Sequence, residues 1–283
     1  MHPYYTIFGH ELPTYGLMAV IGGLAGFLPV FFLARLKKLN LENVIYLYAL
    51  SIAGAIVGAK FVYLINMIPV YAQTLPQAMA ADMQTVLIPY LKQYVIGGMS
   101  LAGGMAGAAI SFAHWAKAFR VNRAAYASVM GIAVPLALSF VRLGCTAAGC
   151  CYGAETARSF HIVFHHSPVA PNGVPLIPTQ PMEAAFHLLW FLVLLIRVLL
   201  DKGSERDLYS YAIGYGIYRF FTDYVRGDRL PFLYLPGIPI FLQSGISPAQ
   251  YTAFLLSIAA LILRIKTRRE TPQRQGTPDQ GTL

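Results

Sequence analysis

Hydrophobic residues in this chain fall into long runs separated by short polar connections, without the alternation of half-buried strands. Seven runs stand out, at about 15–34, 43–67, 94–114, 124–145, 180–200, 207–226 and 246–265. At 1.5 Å per helical residue, each is long enough to cross a hydrocarbon core about 30 Å thick. Lipid satisfies no backbone polar group, so a spanning segment must be a helix or a strand of a closed barrel. These runs are too long and continuous for barrel strands. The pattern predicts an all-α integral membrane protein with seven transmembrane helices.

Composition narrows the class in the same direction. Of 283 residues, 57% are hydrophobic and only 12% charged, against about a quarter charged in a soluble domain. So little charge cannot cover a soluble surface, and so many apolar and aromatic residues exclude a disordered chain. The net charge of +9 raises the question of nucleic acid. The basic residues, however, form short clusters between apolar runs instead of one stripe, and no nucleic-acid partner is expected.

The distribution of Lys and Arg sets the orientation. Basic residues crowd the first, third and fifth connections and the tail: Arg35, Lys37 and Lys38; Lys117, Arg120 and Arg123; Arg197, Lys202 and Arg206; then Arg264 to Arg274. The intervening connections hold only Lys92, Arg158, Arg226 and Arg229. This alternation puts the N-terminus of a multi-pass protein outside and its C-terminus in the cytoplasm. The segment before the first run has no positive region and reads as carrying no cleavable leader. Residues 1–265 form the expected membrane domain, with long outside segments at about 68–93 and 146–179, and 266–283 the expected disordered basic tail. The first of these segments, with Pro69, Pro76 and Pro89, has the composition of an interfacial arm.

Ionisable residues inside apolar runs are costly to bury and are candidates for function. Here they are Lys60, Arg142, Glu183, Arg219 and Asp223, with His187 beside them. The orientation places all five charges in one outer-leaflet layer. Tyr215, Arg219, Asp223 and Arg226 are spaced to form one helical stripe, and Gln180, Glu183 and His187 another. Arg142–Glu183 and Arg219–Asp223 can be read as ion pairs that only join helices. The excess of arginine over carboxylate favours an anion instead, and a planar guanidinium grips phosphate oxygens bidentately. An anionic phospholipid headgroup lies at that depth. Gly103 and Gly107 make a G-x-x-x-G, read either as close helix packing or as room for a lipid.

All three cysteines, Cys145, Cys150 and Cys151, fall at the outer end of the fourth run. On an oxidising side, Cys145 with one of the other two is the simplest disulfide, leaving one thiol. Buried, apolar cysteines are the plainer alternative. With His161, His165 and His166 downstream they offer soft metal ligands, but the spacing matches no standard motif. No metal and no cofactor is assigned.

These elements, in their order, resemble the prolipoprotein diacylglyceryl transferase family over nearly the whole chain. The resemblance rests on Tyr15-Gly16-Leu17-Met18, GGMSLAGGMAG at 97–107, RLGCTAAGCCYG at 142–153, PTQPME at 178–183, YGIYRFFTDYVRGD at 215–228 and ISPAQ at 246–250. It implies transfer of diacylglyceryl from phosphatidylglycerol to a prelipoprotein cysteine, with the signal peptide and membrane lipids as partners. It also implies that Arg142 and Arg219 are catalytic, and that Tyr15, Gly98, Gly103, Gly104, Cys145, Glu183, Asp223 and Arg226 bind substrate; Lys60 joins these by its place among the intramembrane charges. The chain departs from the family pattern at several positions. Ala102 stands where the family has a histidine, Cys145 and Ala148 where it has asparagines, and Cys150 where it has an acidic residue. Ile177 and Met182 replace a histidine and a tyrosine of the Pro-Ser-Gln segment. Two other readings remain: a paralogue transferring lipid to another acceptor, with Cys145 or Cys150 forming a covalent intermediate, or a non-enzymatic lipid-binding or redox-sensing membrane protein.

Overall fold

The computed structural model describes residues 4–7, 10–80, 82–91, 98–229 and 246–274. A short hairpin, β1 (Tyr4–Ile7) and β2 (His10–Pro13), leads into α1 (Thr14–Leu36) and α2 (Leu41–Ala80). A π-helical turn at Met83–Leu87 and α3 (Ile88–Tyr90) follow, then α4 (Leu101–Ala118), α5 (Arg123–Met130) and α6 (Ala133–Ala148). Beyond a second hairpin, β3 (Ile162–Val163) and β4 (Pro175–Leu176), come α7 (Thr179–Leu199), α8 (Glu205–Thr222), a 3-10 turn at Asp223–Val225, and α9 (Pro248–Arg274). The chain divides into two compact units, Lys38–Tyr126 and the remainder.

Five segments are long and apolar enough to cross a membrane: Thr14–Leu36, Leu41–Ile68, Arg123–Ala148, Thr179–Leu199 and Ala249–Thr267. The all-α membrane class therefore holds, while two of the seven expected spans do not reach that standard on their own. Both α4 and α8 have 18 residues. In α4 the glycines, Ser111, His114 and Lys117 dilute the apolar run, and α8 carries Glu205, Arg206, Asp207 and Arg219. Large apolar side chains point outward along the long helices, among them Leu24 (65% exposed), Phe32 (63%) and Leu189 (63%). Water would not tolerate such a surface on a monomer of this size; lipid requires it.

Three further boundaries differ from the sequence reading. The third run was expected from residue 94; α4 starts at Leu101, where Ser100 caps it by accepting from Gly103 N at 3.3 Å. Gly97 and Lys92 lie outside the described residues. In the 68–93 segment, α2 continues through Pro69 and Pro76 to Ala80, and Asp82 caps the turn that follows by accepting from Gln84 N and Thr85 N. At the other end of the chain, α9 runs past residue 265 to Arg274.

The unit Lys38–Tyr126 is organised by a crossing of α2 and α4 at which glycines meet. A Cβ added at Gly107 would lie 2.1 Å from Gly54 O, and one at Gly103 2.3 Å from Gly58 O. The G-x-x-x-G is thus a close-packing surface, and the backbone of α2 occupies it. In the other unit, α1 crosses α6 at Gly22 and Gly144; a Cβ on Gly144 would meet Met18 Cβ at 2.9 Å and Tyr15 Cα at 3.1 Å. Two glycines let α8 pack on both sides. Gly214 faces the Trp190 ring of α7, and Gly216 faces Ser257 and the Ala253 carbonyl of α9.

Candidate functional site

The polar centre of the larger unit is assembled from the facing sides of α6, α7 and α8. Arg142 on α6 and Glu183 on α7 are 8% and 4% exposed, with Arg142 Nη2 3.0 Å from Glu183 Oε1. Tyr215 on α8 donates its hydroxyl to the same Oε1 at 3.1 Å. One helical turn along α7, His187 is fully buried; its Nδ1 is 2.9 Å from the Tyr211 hydroxyl. His187 Nε2 stands 3.8 Å from Glu183 Oε1 and has no hydrogen-bond partner among the described residues. Phe186 stacks on Tyr218 at 4.2 Å between ring centroids, closing this face of α7 against α8.

A second ionic group lies at the end of α8. Arg219 Nη2 meets Asp223 Oδ1 at 3.1 Å, the helical i, i+4 pairing the sequence suggests. Tyr215 and Arg219 are one turn apart on α8, so the helix that reaches Glu183 through Tyr215 also carries the second group. The expected stripe then breaks. After Thr222 the chain tightens into the 3-10 turn and Arg226 becomes extended, at φ −85° and ψ 138°. Arg226 therefore leaves the helical face and forms a bidentate fork with Asp228, at 2.7 and 2.6 Å.

Arg229 takes the place that spacing had given to Arg226. Its Nε is 3.2 Å from Asp223 Oδ2, and its Nη2 donates to Gln250 Oε1 at 2.9 Å. Ser247 donates to Asp223 Oδ2 at 2.6 Å while its Oγ accepts from Gln250 N, so one side chain both caps α9 and joins the ionic group. Sequence reasoning missed Arg229, Asp228, Ser247, Gln250 and Tyr211. The visible signal was the alternation of charge in DYVRGDR at 223–229, where Gly227 permits a turn. Arg142, Arg219, Arg226 and Arg229 each meet a carboxylate, but Arg219 and Arg229 share Asp223, so four arginines face three carboxylates and the excess of arginine remains.

The loop after α6 is a small folded layer with a core of Phe164, Ala170 and Leu176. It is fastened to the 3-10 turn by Ala154 N to Val225 O at 2.8 Å and Gly227 N to Tyr152 O at 2.9 Å. The first turn of α7 fastens it from the other side, with Gln180 Nε2 donating to Cys150 O at 2.9 Å and Thr179 Oγ1 to Cys151 O at 3.0 Å. All three cysteines are thiols. The expected Cys145 disulfide is therefore absent; Cys145 Sγ lies 3.9 Å from Arg142 Nη1, and Cys150 Sγ points to the Cys145 carbonyl. Cys151 sits well below the ordinary thiol range. The Cys145 and Cys150 thiols hydrogen-bond to it, and the Arg226 and Arg142 guanidiniums favour its anion. The hydrogen bond with Cys145 lowers Cys150, but its hydrogen bond to Cys151 and burial outweigh it and push the thiol up to about 11.

Of the residues predicted to form one site, Tyr15, Arg142, Cys145, Glu183, Arg219, Asp223 and Arg226 belong to the larger unit. Tyr15 enters it through the contact of α1 with Gly144. Lys60, Gly98, Gly103 and Gly104 belong to the other unit. There Lys60 Nζ donates to Gly98 O at 3.4 Å and lies over the Tyr63 ring. Gly98 has φ +71°, and a Cβ on it would strike that ring at 2.2 Å. His161, His165 and His166 are exposed, and among the described residues the cluster of potential metal ligands consists of the three cysteines alone.

Comparison with known proteins gives a consistent result. A family model described as prolipoprotein diacylglyceryl transferase matches residues 3–266. A Clostridium perfringens protein named phosphatidylglycerol–prolipoprotein diacylglyceryl transferase 2 is 29% identical over 272 residues, 95% of this chain and 97% of its own length. A protein of the same function name from Clostridium tetani is 28% identical, covering 79% of this chain and 84% of its own. One from Finegoldia magna is 24% identical, covering 94% and 95%.

Proposed function

The chain belongs to the prolipoprotein diacylglyceryl transferase family, and on that premise we propose that it transfers diacylglyceryl from phosphatidylglycerol to a prolipoprotein cysteine. The thiolate sulfur forms a bond to the glycerol carbon that carries the phosphate. The carbon–oxygen bond breaks, and glycerol phosphate leaves with the electron pair. The observation that carries this reading is Arg142, buried on α6 and held in place by Glu183.

A guanidinium carries five N–H donors in a fixed fork, more than one carboxylate takes. Arg142 and Arg219 thus keep donors for the lipid phosphate while Glu183 and Asp223 orient them. Charge grows on the leaving phosphate as the bond breaks, and pre-oriented donors favour that state over the ground state. Tyr15, Asp223 and Arg226 shape the headgroup end of the site.

The protein sits in the bacterial inner membrane as seven spans, α4 and α8 among them, with its N-terminus outside. The support is the alternation of basic and nonbasic connections. The acceptor cysteine arrives within a signal peptide on the outer side. Incubating the purified protein with phosphatidylglycerol and a peptide carrying a lipoprotein signal cysteine tests the assignment. Mass spectrometry is expected to find the peptide heavier by one diacylglyceryl group, with glycerol phosphate released in equal amount. An unmodified peptide with intact phosphatidylglycerol would refute it.

A further inference from the structure

The last turn of α6 and the loop behind it collect all three cysteines of the chain at one point. The Sγ atoms of Cys145, Cys150 and Cys151 lie within 4.8 Å of one another. Cys145 is buried and the other two are half-buried. We propose that these sulfurs form a binding site for a thiophilic d10 cation, Cu(I) in preference to Zn(II). The proposal does not depend on the transferase reading.

The backbone is bent to make the cluster. Gly149 ends α6 in the left-handed region at φ 73°, where a Cβ would meet Ser167 Oγ at 2.1 Å. Two residues later Cys151 adopts φ 59°, a left-handed conformation that residues with a side chain rarely take. Gln180 and Thr179 hold the carbonyls of Cys150 and Cys151 from the first turn of α7. The three sulfurs are therefore set on a braced turn, and their convergence survives the local strain.

Ligand type and number point to the cation. Sulfur donors select soft metals, and among the described residues no histidine or carboxylate joins the three sulfurs. A three-sulfur set completes a trigonal Cu(I) shell, whereas Zn(II) takes four ligands and would need one from outside. With Cys151 already a thiolate, binding releases the thiol protons of Cys145 and Cys150 to solvent and leaves copper at +1, so the complex carries two negative charges. Arg142, whose Nη1 lies 3.9 Å from Cys145 Sγ, is the cation facing them.

The full-length protein in detergent, reduced and freed of metal, is titrated with Cu(I) against a chromophoric Cu(I) chelator. A parallel titration uses Zn(II). One Cu(I) per chain should be withdrawn from the chelator, with a sulfur-to-copper charge-transfer band. Cys145→Ser, Cys150→Ser and Cys151→Ser should each weaken Cu(I) binding more than about 100-fold, beyond the loss typical of an outer-shell change. X-ray absorption of the wild-type complex, which requires no variant to fold, should show three Cu–S bonds. Failure to withdraw Cu(I), affinity unchanged by the serine variants, or a copper shell of nitrogen and oxygen would each overturn the site. Tighter binding of Zn(II) than of Cu(I) would overturn the choice of cation.

Discussion

Arg142 on α6 and Glu183 on α7 meet at 3.0 Å with both side chains more than nine-tenths buried. Removing one partner of such a pair strands the other, which typically costs about 3–5 kcal/mol. Glu183→Ala should therefore lower the thermal midpoint in detergent far more than Glu183→Gln, whose amide still accepts from Arg142 and from Tyr215. Equal midpoints for the two variants would mean that the pair contributes little to holding α6 against α7.

The glycines of the α2–α4 crossing provide a matched test of packing. A Cβ at Gly107 would sit 2.1 Å from Gly54 O, while one at Gly23 meets nothing within 4 Å. Gly107→Ala should destabilise by roughly 1–3 kcal/mol as the helices are forced apart. Gly23→Ala should be neutral or gain up to about 1 kcal/mol of helix propensity. Chemical unfolding in mild detergent compares the two, and a neutral Gly107→Ala would refute the close crossing.

Ser247 both caps α9 and donates to Asp223. Losing a cap costs about 0.5–2 kcal/mol. Ser247→Ala is expected to lose at least that much. Ser247→Asp keeps a capping oxygen but sets a second carboxylate against Asp223, so it should be no better than alanine. Thermal unfolding of the two variants checks the order, and an aspartate variant as stable as wild type would show that the contact with Asp223 is not made.

Thiol chemistry should separate two adjacent cysteines by pH. Cys151 is lowered by hydrogen bonds from Cys145 and Cys150 with help from Arg226 and Arg142, while Cys150 is pushed up to about 11. An ordinary thiol titrates near 8.5. In metal-free protein, alkylation of Cys151 should be nearly as fast at pH 7 as at pH 9, because its thiolate is lost only as pH falls through its own low pKa. Cys150 should react slowly until well above pH 9. For stability the sign follows the carboxylate case: the contribution of Cys151 is full above about 8.5 and declines as pH falls toward its folded value. Peptide mapping after a pulse of iodoacetamide reads both sites, and equal, steeply rising rates would contradict the assignment.

The membrane class and the pairing of Arg142 with Glu183 were legible in the sequence because both follow from regular spacing. Apolar runs fix helices, and ionisable residues inside them have few places to go. Arg226 was misplaced for the complementary reason. Its spacing from Asp223 is helical, but α8 yields to a 3-10 turn at Asp223, and Gly227 then packs closely against the backbone of Gly153. Arg229, Ser247 and Gln250 reach Asp223 only through tertiary contact across separate elements, which no local pattern encodes. The meaning of Gly103 and Gly107 was open between packing and a lipid cradle. The approach of α2 decides for packing.

The central claim is that Arg142 acts on the lipid phosphate through the two-pronged geometry of its guanidinium. Turnover of phosphatidylglycerol onto the acceptor peptide, measured beside thermal stability for Arg142→Lys and Arg142→Ala, tests it most directly. Lysine keeps the charge but not the fork. The account predicts that Arg142→Lys folds with a midpoint close to wild type and loses at least about 100-fold in turnover, the scale of one lost transition-state donor. Arg142→Ala should be lower in both. A well-folded Arg142→Lys protein with wild-type turnover would contradict the account and leave Arg142 as a strut between α6 and α7.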